Sequence, residues 1–490
     1  MLNPADGAFL ARLEQALGPG GLRAPEPRDL EEPRGRHHGI AGAVAMPRST
    51  AEVASVLRLC NAARVGVVPL AGGTGLVAGQ VMSEGPLPLI LSVERLTAIR
   101  AVSAEENALT AEAGVRLIDI RNAAEAAGRV FGLSLASEGS CRIGGNLATN
   151  AGGAQVLRYG SARDLCLGLE AVLADGSVLS GLGTLRKDNT GYDLRNLMIG
   201  SEGTLGIITA ASLKLHARPH ERATAWVALS DPAAAMALFE KARDWLGEDI
   251  LAFELMAREG LDFLAAHLPQ APAPPLAEAP WFVLVETGGS RLARPGEALE
   301  GLLAEALEAG QVQDAAIATS LAQRQRMWEI RETIPEANRL RGAIATHDIA
   351  LPLSAIAEFI DRAGRMLARM APGVVINCFG HLGDGNLHYN VFPPQDVPAA
   401  RFDDRRAAIA AAVYELVVAM GGSFSAEHGI GRDKRAQLER FGDPARLAAM
   451  AAIKRALDPN GILNPGAVLP AAEAIAPSAE AEGAEVKLDV

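Results

Sequence analysis

Residues 137–153 read SEGSCRIGGNLATNAGG, a run that sets five glycines among Ser, Thr and Asn side chains. Every buried polar group needs a partner, so a stretch this rich in backbone donors fills a core poorly and lines a long polar ligand well. Two further glycine segments accompany it. Pro69-Leu70-Ala71-Gly72-Gly73-Thr74-Gly75-Leu76 follows a predicted strand, and Gly200-Ser201-Glu202-Gly203-Thr204-Leu205-Gly206-Ile207-Ile208-Thr209 runs into one. Glycines at 72, 73 and 75 permit positive φ and close approach, so N–H groups can converge on an anion while Thr74 adds a hydroxyl. A diphosphate fits such a loop, and so does a tight turn that needs glycine for geometry alone. Neither common phosphate motif is present. Leu76-Val77 stand where a Walker loop needs Lys-Ser/Thr, and Gly79–Gly85 reads as loop where a dinucleotide fingerprint needs a helix. A nicotinamide-binding Rossmann domain is therefore disfavoured.

The chain around these loops has 490 residues, 49% hydrophobic and 21% charged, enough for two or three domains with real cores. Its net charge of -12 argues against nucleic acid or an anionic membrane as partner. Cys60, Cys141, Cys166 and Cys378 form no CxxC pair, which suits free thiols in a reducing compartment. The N-terminus lacks the pattern of a signal peptide, and no window reads as a membrane span. The expected location is cytoplasmic, with peripheral membrane contact left open.

Residues 1–38 read as a short amphipathic helix and a Pro/Arg-rich linker. Ser49-Thr50-Ala51-Glu52 has capping-box spacing ahead of a helix. From 89 to 215 short apolar runs alternate with glycine-rich turns, so strands dominate. After Pro219 strands and helices alternate, which predicts an α+β second domain. The final residues, 471–490, lack an apolar face and read as a flexible tail.

In the second domain, residues 374–392 read as two strands about an Asp384-Gly385 hairpin turn. With those two residues as the turn, His381 faces His388 directly, Cβ atoms ~5 Å apart, a spacing suited to two imidazoles on one ion. Asn390 continues the same face. An ordinary hairpin with two unremarkable histidines is the alternative.

The blocks PLAGGTGL, SEGSCRIGGNLATNAGG, KDNTGYDL, GSEGTLGIIT, GHLGDGNLH, EHGIG and LNPG, in this order across residues 69–466, resemble the FAD-dependent D-2-hydroxyacid dehydrogenases. That family includes D-lactate, D-2-hydroxyglutarate and glycolate dehydrogenases and lies in the vanillyl-alcohol-oxidase flavoprotein superfamily. The resemblance implies an α+β fold: a two-part FAD-binding domain (39–218), a substrate or cap domain (219–425), and a C-terminal helical segment (426–470) returning to the FAD site. It implies that FAD is held by Pro69, Ala71, Gly72, Gly73, Thr74, Gly75 and Leu76 at the pyrophosphate loop. Glu138, Gly139, Ser140, Gly144, Gly145, Asn146, Thr149, Asn150, Gly152, Gly153, Tyr159 and Gly160 would follow along the second loop. Glu202, Gly206, Ile207, Ile208 and Asn464 would complete the site. Gly75-Leu76 offers no nucleophile and Cys141 is a weak one, so the FAD is expected to be non-covalent.

By the same resemblance Glu427 joins His381 and His388 as metal ligand, His428 is the base, and Arg331 clamps a substrate carboxylate. Zn²⁺ fits this donor set, which Mn²⁺ and Fe²⁺ share. A helix cap or a surface carboxylate is the plainer reading of Glu427. The implied reaction oxidises a lactate-like or 2-hydroxyglutarate-like acid to the 2-oxoacid, with a quinone, cytochrome or electron-transfer flavoprotein as acceptor and a homodimer as a possible assembly. An oxidase, or a non-catalytic flavin subunit of a glycolate-oxidase-like complex, is the alternative. Pro335 and Thr346 stand where the 2-hydroxyglutarate enzymes carry Thr and Lys, which raises neutral hydroxyacids relative to dicarboxylic ones.

Overall fold

A computed structural model describes residues 1–470, and the expected tail at 471–490 lies outside the described residues. The helix Gly7–Leu17 starts on Asp6, whose carboxylate accepts the Phe9 N–H, and buries Phe9, Leu13 and Leu17. It packs on Thr50–Ala63, whose first turn is capped by Ser49 accepting the Glu52 N–H at 3.2 Å. The Pro/Arg-rich stretch is structured: Leu22–Arg23 pairs with Ala43–Ala45, and Pro27–Leu30 forms one helical turn.

Two main sheets build the first lobe, beside a short pairing of Arg129–Val130 with His216–Ala217. In the smaller, Ala43–Ala45 and Val67–Leu70 flank Leu89–Ser92, both parallel to it. In the larger, the order is Ile99–Ser103, Ala108–Glu112, Ile207–Lys214, Cys166–Val172, Val178–Gly181, all antiparallel. A shared apolar core joins both to the N-terminal helix. The predicted strand-rich texture of 89–215 is therefore present.

The second lobe is one antiparallel sheet of seven strands in the order Asp314–Ile317, Glu221–Leu229, Trp281–Gly289, Ile250–Ala257, Val375–His381, Asn386–Phe392, Ala345–Ala350. Helices Pro232–Leu246, Pro295–Glu308, Ile356–Met370 and Arg406–Ala419 cover one face. Arg258–His267 and Leu321–Arg341 cover the other, leaving its far end open toward the first lobe. Period-2 alternation gives each strand two sets of side chains, and one of these sets faces this open end. The chain then returns: the Val67 N–H bonds the Ile462 carbonyl at 2.7 Å, and the Asn464 N–H bonds the Val67 carbonyl at 2.8 Å. No helix among the described residues is long and apolar enough to cross a membrane.

Candidate active site

The first two glycine loops meet. A Cβ on Gly72 would lie 2.7 Å from the Ser140 carbonyl oxygen and 2.8 Å from the Cys141 Cα, so only glycine allows this approach. Beside the contact opens a cavity of about 490 Å³. Its walls include Pro69, Ala71, Gly72, Gly73, Thr74, Gly75, Leu76, Gly144, Gly145, Asn146, Thr149, Gly152, Glu202, Gly206, Ile207, Ile208 and Asn464, and Glu427 and His428 reach it from the C-terminal segment. Asn146 Oδ1 is buried with no partner in the chain, an acceptor that a bound ligand's donor would satisfy. With Gly73 at φ +68° in the first loop, the cavity fits a long ligand of the FAD type.

Seven of the expected cofactor residues lie outside this lining. The Glu138 carboxylate pairs with Arg121, and the Ser140 hydroxyl donates to the Ser137 carbonyl at 3.2 Å. Gly139 is exposed. Asn150 accepts the Arg163 N–H at 3.0 Å from a left-handed backbone. Gly153, at φ +102°, packs on the Ser134 carbonyl, and Gly160, at φ +80°, on Asp164. Tyr159 is buried against His216, ring centroids 4.7 Å apart. These residues shape and brace the loop that others use to form the wall. Glu202 and Asn464 line the cavity, yet their polar atoms are engaged within the chain, Asn464 Oδ1 by the Arg432 guanidinium at 2.9 Å. Glu202 accepts the Ile430 and Gly431 N–H groups at 2.7 and 2.8 Å, and Asn464 donates to the Gly79 and Glu202 carbonyls.

In the second lobe the hairpin differs from the expected two-residue turn. Leu382–Asp384 forms a 3-10 turn ending at Gly385, and the register pairs His381 with Asn386 and Phe379 with His388. Leu382 is fully buried and Gly385 packs on the Leu351 carbonyl, so the longer loop is docked into the core rather than projecting from it. The register is offset by two residues from the direct His381–His388 opposition. An even offset keeps every side chain on its face, and the two imidazoles still meet on a diagonal, ring centroids 5.7 Å apart. Ligand atoms of His381, His388 and Glu427 lie within 4.8 Å of one another. Asn390 shares this face, opposite Asn377 on one side and Thr346 on the other.

Two carboxylates that the sequence reading gave no role organise the cluster. Asp348, directly across from His388, accepts the Glu427 and His428 N–H groups, each at 3.0 Å, and lies 3.3 Å from His428 Nδ1. Glu254 is 1% exposed and joins His381 Nδ1 at 2.8 Å to Arg331 Nε at 2.9 Å. Arg331 lies over the Phe379 ring at 4.9 Å, and Pro335 removes the N–H that would bond its carbonyl. The expected carboxylate clamp is thus already engaged along one edge by Glu254. A lone charge inside the apolar run ILAFELMA was the signal available for Glu254, since a buried charge demands a partner.

These contacts set the protonation of the site. Burial works against a charged His381, but the Glu254 carboxylate outweighs it and pushes the imidazole up to about 9. Burial pushes His428 down to about 4 against the pull of Asp348, and lifts Glu427 to about 7. Asp348 is held far below the usual carboxylate range because His428, His388 and Lys434 outweigh its burial.

A family model for the FAD binding domain matches residues 41–181, and one for the C-terminal domain of FAD linked oxidases matches 218–468. The mitochondrial D-2-hydroxyglutarate dehydrogenase of Arabidopsis thaliana is 39% identical over 89% of this chain and 76% of its own length. The D-2-hydroxyglutarate dehydrogenase of Xanthomonas citri pv. viticola is 38% identical over 86% and 88%. Among solved structures, p-cresol methylhydroxylase superposes with a TM-score of 0.72 at 16% identity, covering 95% of this chain and 98% of its own, a likeness of fold. Fold and site together define a two-lobed flavoprotein oxidoreductase of the vanillyl-alcohol-oxidase architecture. The chain belongs to the FAD-linked oxidase family, in the group that contains these D-2-hydroxyglutarate dehydrogenases.

Proposed function

We propose that the protein oxidises a D-2-hydroxyacid to the 2-oxoacid, with a divalent metal, best Zn²⁺, held by His381, His388 and Glu427. The convergence of two imidazoles and a carboxylate from three separate segments within 4.8 Å carries this reading. His388 Nε2 and Glu427 Oε1 stand 3.8 Å apart, too far for a hydrogen bond and suited to sharing an ion. The Glu254 contact at Nδ1 leaves Nε2 of His381 for the metal, the carboxylate–histidine arrangement that orients ligands in such sites. The ion would acidify a chelated hydroxyl. Bound FAD supplies the two-electron acceptor.

The chain's own residues do the rest. Asp348 fixes the ring of His428 from the Nδ1 side, so Nε2 is free to take the hydroxyl proton. Asn390, on the same sheet face as His388, and the guanidinium of Arg331, held in place by Glu254 at both Nε and Nη2, would hold the acid's carboxylate. Burial raises the Cys141 thiol, making it a poor nucleophile toward the flavin, which supports non-covalent FAD. Electrons would leave to a separate acceptor of the quinone, cytochrome or electron-transfer flavoprotein kind, and the four free, buried thiols suit a reducing compartment such as the cytosol.

The test is anaerobic bleaching of the purified protein's flavin by a panel of D- and L-2-hydroxyacids. Bleaching by D-hydroxyacids that is lost after chelation and restored by Zn²⁺ is expected. No bleaching by any member overturns the function, and bleaching indifferent to chelator overturns the metal.

A further inference from the structure

A second cavity, of about 600 Å³, lies against the second-lobe sheet. That volume is in the range of small-molecule sites. The strand Ile250–Ala257 pairs with Val375–His381 only from Glu254–His381 to Met256–Phe379, and the chain then turns into the helix Arg258–His267. Ile376 and Cys378 are left without a strand neighbour on that flank, and the cavity opens between them and the helix Ile356–Met370. Its exposed lining residues are Glu278 and Pro280, which mark the mouth. Alternation along the strands separates it from the active site. Tyr389 stands between His388 and Asn390, and Cys378 between Asn377 and Phe379, each on the opposite face from its two neighbours.

Packing does not account for the space. Gly364, inside the helix Ile356–Met370, lines the cavity, and a Cβ built there would meet no atom within 4 Å. Glycine weakens a helix relative to alanine, and no crowding demands it here. It leaves open the volume that a side chain would fill.

The wall also holds polar groups with nothing to bind. Tyr389 is 0% exposed, edge-on to Phe359 at 5.2 Å between ring centroids, and its hydroxyl has no partner among the described residues. Cys378 is a buried free thiol. Among the described residues Glu259 makes no ion pair and no hydrogen bond to another residue, and burial lifts its carboxyl above the ordinary carboxylate value. Arg258, the one cation in the lining, is taken. It donates to Asp262 at 3.1 Å and to the Ala277 carbonyl, with Glu278 3.9 Å away. Trp281, Ile360 and Ile376 supply apolar surface.

We infer that this cavity is a second binding site, separate from the flavin and metal residues, for a small primary amine carried on an apolar body. An ammonium offers donors to the Glu259 carboxylate and the Tyr389 hydroxyl oxygen, and the face of the Trp281 indole favours a cation. The apolar wall takes the carbon frame. An anion would meet Glu259 and Glu278 with no free cation to offset them, and a neutral alcohol would leave the Glu259 charge unpaired. The inference stands apart from the hydroxyacid reading.

The experiment titrates the full-length FAD-loaded protein by calorimetry with phenethylamine, 2-phenylethanol and 3-phenylpropanoate, three probes of like shape and different charge. The variants Glu259→Gln and Gly364→Leu are compared with the parent. Phenethylamine should bind one per chain and about 10-fold or more tighter than 2-phenylethanol, with 3-phenylpropanoate weakest. Glu259→Gln should weaken the amine about 10-fold and leave the alcohol unchanged. Gly364→Leu, which fills the cavity, should weaken amine and alcohol alike, while flavin content stays that of the parent. Should Gly364→Leu fail to fold, Glu259→Gln decides alone. Preference for the alcohol or the anion, amine binding that Glu259→Gln leaves unchanged, or amine displaced by 2-oxoglutarate from the active site each overturns the second site. None of these readouts requires turnover, so a failure of the hydroxyacid reading would appear separately in the bleaching experiment.

Discussion

His428 owes its position to a neighbour on another strand. Asp348 receives the two N–H groups that begin the Glu427-His428 turn and lies beside the ring nitrogen. A general base contributes roughly 10²- to 10⁴-fold to a proton transfer, so His428→Ala should slow flavin reduction by that order while flavin and metal stay bound. Stopped-flow reduction and metal analysis of the variant check this, and an unchanged rate removes His428 from the chemistry. Glu254 acts one step further back, through His381 and Arg331. Glu254→Gln keeps the shape but loses the charge, and metal affinity should fall about 10- to 100-fold, read by competition with a chromogenic chelator. A variant that retains metal as tightly as the parent separates Glu254 from the ion. His428 was named through its motif and the lone charge in ILAFELMA singles out Glu254, whereas the partners of Glu254 and Asp348 appear only when strands far apart in sequence align.

Elements place these groups by register and by contact between loops. The hairpin Val375–His381 with Asn386–Phe392 closes through a four-residue loop instead of the expected two, yet the even offset leaves His381, His388 and Asn390 on one face. An odd offset would have sent one strand's set to the opposite face. Alternation in the sequence determines parity, whereas loop length depends on Leu382 finding a place in the core. The glycine loops show the same division. Their composition announces a ligand wall, but which residues face it depends on how tightly Gly72 meets Ser140 and Cys141. Adding one methyl there overpacks a backbone contact, at a cost of about 1–3 kcal/mol. Gly72→Ala should therefore weaken FAD binding by roughly 10- to 100-fold, measured by flavin release on dilution; undiminished retention would show that the loops can part without loss.

At the scale of the whole molecule the two lobes are joined by the returning C-terminal segment, with the Glu202 carboxylate on the Ile430 and Gly431 N–H groups as a tie. Stability should respond to acid through histidines held neutral inside each lobe. Burial pushes His216 and His347 down to about 4 in the folded chain, against an unfolded value of about 6.5. The unfolded state binds more protons between those values, so stability present at neutral pH declines as pH falls from about 6.5 toward 4. The melting temperature should be lower at pH 5 than at pH 7.5, and a His347→Gln variant should lose part of that slope; identical melting at both pH values contradicts it. By itself the sequence determined the two-lobed class, the glycine-rich wall, the row of His381, His388 and Asn390, and the Glu427-His428 pair, because periodicity, glycine clusters and ordered motifs are local properties of a chain. Only the tertiary structure decided the hairpin register, the partners Glu254 and Asp348, and the exclusion of Tyr159 from the cavity wall. Each of these depends on packing and charge between segments distant in sequence.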